Sequence, residues 1–321
     1  MSPSFSPCCF PISSSDPSLP SSFPSAEKNK VPPTMQRPVS QGNIEVSIKD
    51  QVNFFYWSHS VQSHISKAPS ALFEQPWREV SEKYKDNLGA GKSSFINSVD
   101  TVLKGRPAGR AATNASYAGS SFTKQYKTFK FHKNPEATYS FVLNDVMGLE
   151  EDSDSGVSVE DVKQALRGHV KEGYKFNPDQ ELKEGVDGYN SDPTLGDKVH
   201  VLVCVIPVDS VCLLSDKVVE KVKEVRMAAS ELGIPQLAIL TRVDEACPEV
   251  KKDTSNIYKS KYLKEKVDRF HQLLGLPINC IFLVRNYNPE IESNDKMNAA
   301  IVCALKQMLL YGEDFLNDLE T

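Results

Sequence analysis

A chain of 321 residues that is 40% hydrophobic and 25% charged can bury a sizeable core, and its net charge of −5 argues against non-specific nucleic-acid binding, which needs a basic surface. No apolar stretch approaches the ~20 residues of a membrane helix, and the N-terminus lacks the basic-then-apolar pattern of a secretion signal. The expectation is a soluble, cytoplasmic protein with no membrane span and no nucleic-acid partner.

Residues 1–45 are dominated by Ser and Pro and carry too little apolar surface to offset chain ordering, so they read as a disordered tail. Residues 46–86 read as a linker or the remnant of an upstream domain, with aromatic clusters at Phe54 to Trp57 and at Pro76 and Trp77 able to pack on a domain edge. From 87 to 321 the patterning alternates. A helix is predicted at about 92–104, strands at about 126–132 and 138–144, a helix at about 157–168 and a strand at about 199–206. Helices at about 214–232, 255–274 and 294–311 are separated by strands at about 236–241 and 279–284. Such alternation implies βαβ units in a three-layer α/β fold with a mostly parallel sheet, and places a ligand at the carboxyl ends of the strands. The polar stretch 169–198 reads as an insertion or mobile loop.

The most informative stretch is LGAGKSSFINSV, which contains Gly89, Gly91, Lys92, Ser93 and Ser94. Gly-Lys-Ser opening a helix is the chemistry of a phosphate cradle. Glycines let backbone N–H groups turn inward, the lysine reaches the phosphates, the hydroxyl holds Mg²⁺, and the helix N-terminus favours negative charge. Two features depart from the full pattern. Asp86 stands where the first glycine should be, and a carboxylate ~6 Å from a phosphate charge would cost roughly 3 kcal/mol at an effective dielectric near 20. The preceding segment REVSEKYKDN is too charged to be the buried strand that should feed the loop. The first strand is therefore either missing or replaced by an earlier segment, the nearest apolar candidate being Val52 to Trp57.

Later motifs bear on which nucleotide would bind. Asp145-Val146-Met147-Gly148 ends a predicted strand and fits D-x-x-G, in which the aspartate holds Mg²⁺ through water and the glycine N–H reads the γ-phosphate. Thr241-Arg242-Val243-Asp244 is close to [NT]-K-x-D, whose carboxylate accepts from the N1–H and NH₂ of guanine. Arg242 replaces the lysine, and the two cations are not interchangeable. Val284-Arg285-Asn286 matches the third base-contacting element in place only. Thr113, Thr123 and Thr128 compete as the Mg²⁺-sensing threonine. Leu149 stands where many small guanine-nucleotide switches have a water-orienting glutamine, so unassisted hydrolysis should be slow; Glu150 and Glu151 read as solvated acids. The seven cysteines form no metal-spaced pair and read as reduced thiols, with Cys204 and Cys280 as small buried hydrophobes.

GAGKSSFINSV, the D-V-M-G-L-E turn, T-R-V-D and F-L-V-R-N-Y, read in order, resemble the interferon-induced protein 44 family from about Phe73 to the C-terminus. The resemblance implies a P-loop GTPase-like fold and a cytoplasmic guanine-nucleotide-binding protein of the interferon-induced antiviral response. GTP or GDP with Mg²⁺ would be the cofactors and unidentified proteins the partners. It carries Lys92, Ser93, Asp145, Gly148 and Asp244 over by motif. Longer members carry a TLDc-type domain ahead of this part. Two other readings stand beside it: a nucleotide-independent scaffold that keeps a degenerate GTPase fold, and an ATPase, which Asp244 discourages.

Overall fold

The computed structural model describes residues 51–59 (backbone only), 89–111, 125–151, 156–288 and 290–319. The expected tail at 1–45, Asp86, the REVSEKYKDN segment, Thr113 and Thr123 lie outside these residues.

Seven strands form one mixed sheet. They are β1 (Gln51–His59), β2 (Lys127–His132), β3 (Thr138–Asp145), the short β4 (Leu149–Glu150), β5 (Val201–Pro207), β6 (Gln236–Thr241) and β7 (Ile281–Leu283). The path across the sheet is β2-β3-β1-β5-β6-β7, with β4 paired to the start of β1. β5, β6 and β7 are parallel, with Val205 opposite Ile239 and Ile239 opposite Phe282. All seven residues of β5 are buried, as expected of a strand covered on both faces.

The other half departs from the mostly parallel expectation. β1 runs antiparallel to both neighbours, its Phe55 facing Asp145 of β3 and Val203 of β5, and β2 is antiparallel to β3. Segment 51–59, placed by sequence within a linker or remnant, is thus the replacement strand, entered backwards. Because β1 opposes both neighbours, β3, β5, β6 and β7 still share one direction, and Asp145, Pro207, Thr241 and Leu283 end them at one edge. His59 pairs with Phe141, so β1 ends at the opposite edge from Asp145.

The helices are α1 (Lys92–Lys104), α2 (Val159–Leu166), α3 (Asp216–Glu231), the short α4 (Val243–Ala246) and α5 (Pro248–Lys252), α6 (Lys261–Leu274) and α7 (Asp295–Leu319). α1 packs with α7, and α2 with α3 and α3 with α6, giving a layer on each side of the sheet. Serines start several of them. Ser158 accepts from Asp161 N–H at 2.9 Å, and Ser260 accepts from Leu263 N–H at 3.3 Å. Ser260 also explains why the helix expected at 255–274 is broken: Thr254–Lys259 is a 3₁₀ turn, and α6 restarts after the serine cap.

The stretch 169–198 is tied to the domain. Val170, Phe176 and Leu182 are buried, and Leu182 N–H donates to Asp161 Oδ1 at 2.6 Å. Cys204 and Cys280 are buried, and burial pushes the Cys204 thiol up to about 12. Among the described residues no helix is long and apolar enough to cross a membrane.

Candidate functional site

The motif residues meet at the edge where β3, β5, β6 and β7 end. Gly91 caps α1 in the left-handed region, with φ of 84°, and Gly89 has φ of 77°; both turns need glycine. No side-chain hydrogen bond caps α1, and a helix N-terminus favours negative charge.

The loop is held from behind by three side chains, one on each successive carbonyl. Arg242 Nη2 donates to the Gly89 carbonyl at 2.9 Å, Thr241 Oγ1 to that of Ala90 at 2.7 Å, and Asn286 Nδ2 to that of Gly91 at 3.1 Å. A β-carbon on Gly91 would lie 3.0 Å from Asn286 Nδ2 and 3.2 Å from Thr241 Oγ1, so any side chain there would push on the two groups that hold the loop. Three successive carbonyls of the loop are thus tied to residues at or just after the ends of β6 and β7.

In front of the loop, Lys92 Nζ lies 3.2 Å from Asp145 Oδ1, and Ser93 Oγ donates to Asp145 Oδ2 at 2.9 Å. Lys92 and Asp145 side chains are only 6% and 5% exposed. A buried carboxylate needs this compensation, since either charge alone would be costly away from water. Ser94 lies in the first turn of α1, where its carbonyl accepts the Ser98 hydroxyl at 2.7 Å.

Gly148 follows β3 at the same edge, its carbonyl accepting Val157 N–H at 3.0 Å. Leu149 is fully buried in β4, opposite Val52, so the position after Gly148 belongs to the core. Glu150, expected to be solvated, is instead buried, and Lys221 Nζ donates to its carbonyl at 2.8 Å. Thr128 lies in β2, where its N–H donates to Glu172 Oε2.

At the other end, Arg242 is the one non-glycine residue at positive φ (57°) among those described. Such a conformation costs of order 1–3 kcal/mol for a bulky residue, and its bonds to Gly89 and to Glu245 at 3.4 Å hold it. Asp244 opens α4 with Arg285 Nε 3.5 Å from its Oδ2. Burial raises its carboxyl above the usual range, an effect that a backbone N–H and the Arg285 guanidinium partly oppose.

Thr241 is fully buried, and its hydroxyl holds the loop through the Ala90 carbonyl. Arg285 and Asn286, which the sequence placed only by their position after the last strand, both enter the site. Their signal was that position alone: a strand of a parallel sheet delivers the residues after it to the carboxyl edge.

These features define a mixed α/β domain with a candidate ligand site at the carboxyl edge of its sheet, around the N-terminus of α1. Over 235 residues, 72% of its length, the chain is 33% identical to interferon-induced protein 44-like of Homo sapiens, covering 51% of it. Over 233 residues it is 33% identical to interferon-induced protein 44 of Mus musculus and 31% identical to that of Homo sapiens, covering 54% and 52% of them. The curated relatives at 31–33% identity over 72% of the chain are thus named interferon-induced protein 44 or 44-like, which supports assignment to that family. It spans about half the length of the curated relatives it matches. No family model and no solved structure matches it.

Proposed function

We propose that the chain binds guanine nucleotide with Mg²⁺ at the α1 edge, hydrolyses it slowly at most, and acts as a cytoplasmic member of the interferon-induced response its relatives are named for. The observation that carries the reading is the convergence of Lys92, Ser93 and Asp145 at an uncapped helix N-terminus. Lys92 would neutralise phosphate charge, Gly148 would meet the γ-phosphate, and Asp244 would accept from the guanine edge, with Arg242 over the base. Ser93 and Asp145 are oxygen donors suited to Mg²⁺, which orients phosphates and neutralises their charge. Among the described residues no three His, Cys, Asp or Glu side chains cluster to hold a metal by themselves, so phosphate oxygens would complete the coordination. Buried Leu149 cannot orient an attacking water, which supports slow turnover.

The test is titration of purified protein with a fluorescent GTP analogue in Mg²⁺, followed by competition with GTP, GDP and ATP. Micromolar binding displaced by guanine nucleotides and not by ATP supports the reading; no binding overturns it. A second reading, a nucleotide-independent scaffold, is favoured by the reversed β1. It predicts the same melting temperature with and without Mg·GTP, whereas a ligand of the folded state raises it.

A further inference from the structure

β2 is the edge strand of the sheet beyond β3. Its outward backbone groups are read from their partners. Tyr126 N–H donates to the Tyr174 carbonyl at 2.8 Å, and two residues on, Thr128 N–H donates to Glu172 Oε2 at 2.8 Å. Strand alternation turns the Lys130 N–H and carbonyl the same way. Along this edge the acceptor changes from a true backbone carbonyl at Tyr126 to a carboxylate standing in for one at Thr128. For Lys130 there is no outward partner among the described residues.

Beside this edge runs an open groove of about 580 Å³, lined by Arg110, Lys127, Phe129, Lys130 and His132, together with Thr128 and its acceptor Glu172, the one acid among them. Arg110 is paired with buried Asp100 at 2.9 Å, which leaves exposed Lys127 and Lys130 to meet a ligand. The patch is basic in a chain of net charge −5. Its sign therefore opposes that of the chain as a whole.

We propose that the β2 edge at Thr128 to Lys130, ahead of the register shift between Lys130 and His132, takes an extended acidic segment of another protein as an added strand. A backbone carbonyl of that segment would replace the Glu172 carboxylate on Thr128 N–H, and its acidic side chains would meet Lys127 and Lys130. Main-chain bonds then supply affinity and the lysines supply selectivity. A second copy of this edge is a poor occupant, because it would set lysines against lysines, and like charges on facing strands are destabilising.

The test is fluorescence anisotropy of the full chain with a labelled octapeptide, Glu-Glu-Val-Thr-Glu-Glu-Val-Thr, against its counterpart carrying Lys for Glu. The acidic peptide should bind saturably and the basic one should not. Charge reversal at both Lys127→Glu and Lys130→Glu should weaken binding at least tenfold with an unchanged melting temperature, since both side chains are exposed. Glu172→Ala should tighten it several-fold by releasing Thr128 N–H. N-methylation of alternate peptide amides should abolish it. Equal binding of the methylated peptide would reduce the effect to charge attraction and overturn strand addition. Absence of saturable binding to both the wild-type chain and Glu172→Ala would overturn the proposal outright.

Discussion

Gly91→Ala tests the clasp on the loop without any ligand. The substitution forces a β-carbon onto a residue with φ of 84°, which costs about 1–2 kcal/mol in the left-handed region. It also drives that carbon to 3.0 Å from Asn286 Nδ2 and 3.2 Å from Thr241 Oγ1, so the bonds to the Gly91 and Ala90 carbonyls must lengthen. Two weakened hydrogen bonds add about 1 kcal/mol each, giving about 3 kcal/mol in all. Gly89→Ala is the internal control: φ there is 77°, but nothing lies within 4 Å of the added carbon, so only the backbone cost of about 1 kcal/mol applies. For a domain of this size a loss of 1 kcal/mol lowers Tm by about 2–4 °C. Thermal unfolding should therefore separate the two variants, at about 6–12 °C against 2–4 °C. In an Asn286→Ala background the cost of Gly91→Ala should fall by about 1 kcal/mol, because the nearest clashing atom is gone. Equal losses at the two glycines, or no relief in the double variant, would refute the clasp.

Lys92→Ala should abolish binding of the fluorescent GTP analogue and, by leaving buried Asp145 without its ammonium, lower stability by about 3 kcal/mol; micromolar GTP affinity in a folded variant would sink the proposed role. Asp244→Ala should cost about tenfold in GDP affinity while leaving binding of inorganic tripolyphosphate unchanged, since only the base contact is removed; competition titration reads both. Asp161, whose carboxyl is raised chiefly by burial, should make stability fall as pH rises. Its favourable contribution is fully present below the unfolded value of 3.8 and is lost as pH climbs through the higher folded value. Asp161→Asn keeps an acceptor for Leu182 N–H and should flatten that part of the urea-midpoint profile; an unchanged slope would count against it.

Periodicity and short-range chemistry mark the longer helices and the parallel strands in the sequence, while the short α4 and α5 carry too few residues to show a period. The apolar run VLVCVIP could only be a strand covered on both faces, and Gly91-Lys92-Ser93 marked the start of α1 because glycine turns and helix termini are local events. Asp145 was legible for the same reason, as the polar end of an apolar strand. The break before Ser260 is legible in principle, since a serine inside a helical pattern can cap a new helix. What the tertiary structure decided is pairing and direction. Residues 51–59 have the composition of a strand, but alternation is the same read forwards or backwards, so only the partners β3 and β5 reveal that it runs against both. Long-range closure likewise assigned Thr241 to the back of the loop and brought Asn286, 195 residues away in sequence, onto the carbonyl of Gly91. Asn286 carries no local pattern, and the motif at Thr241 does not tell which carbonyl it holds, because the bond each makes exists only once separate strands end at the same edge of the sheet.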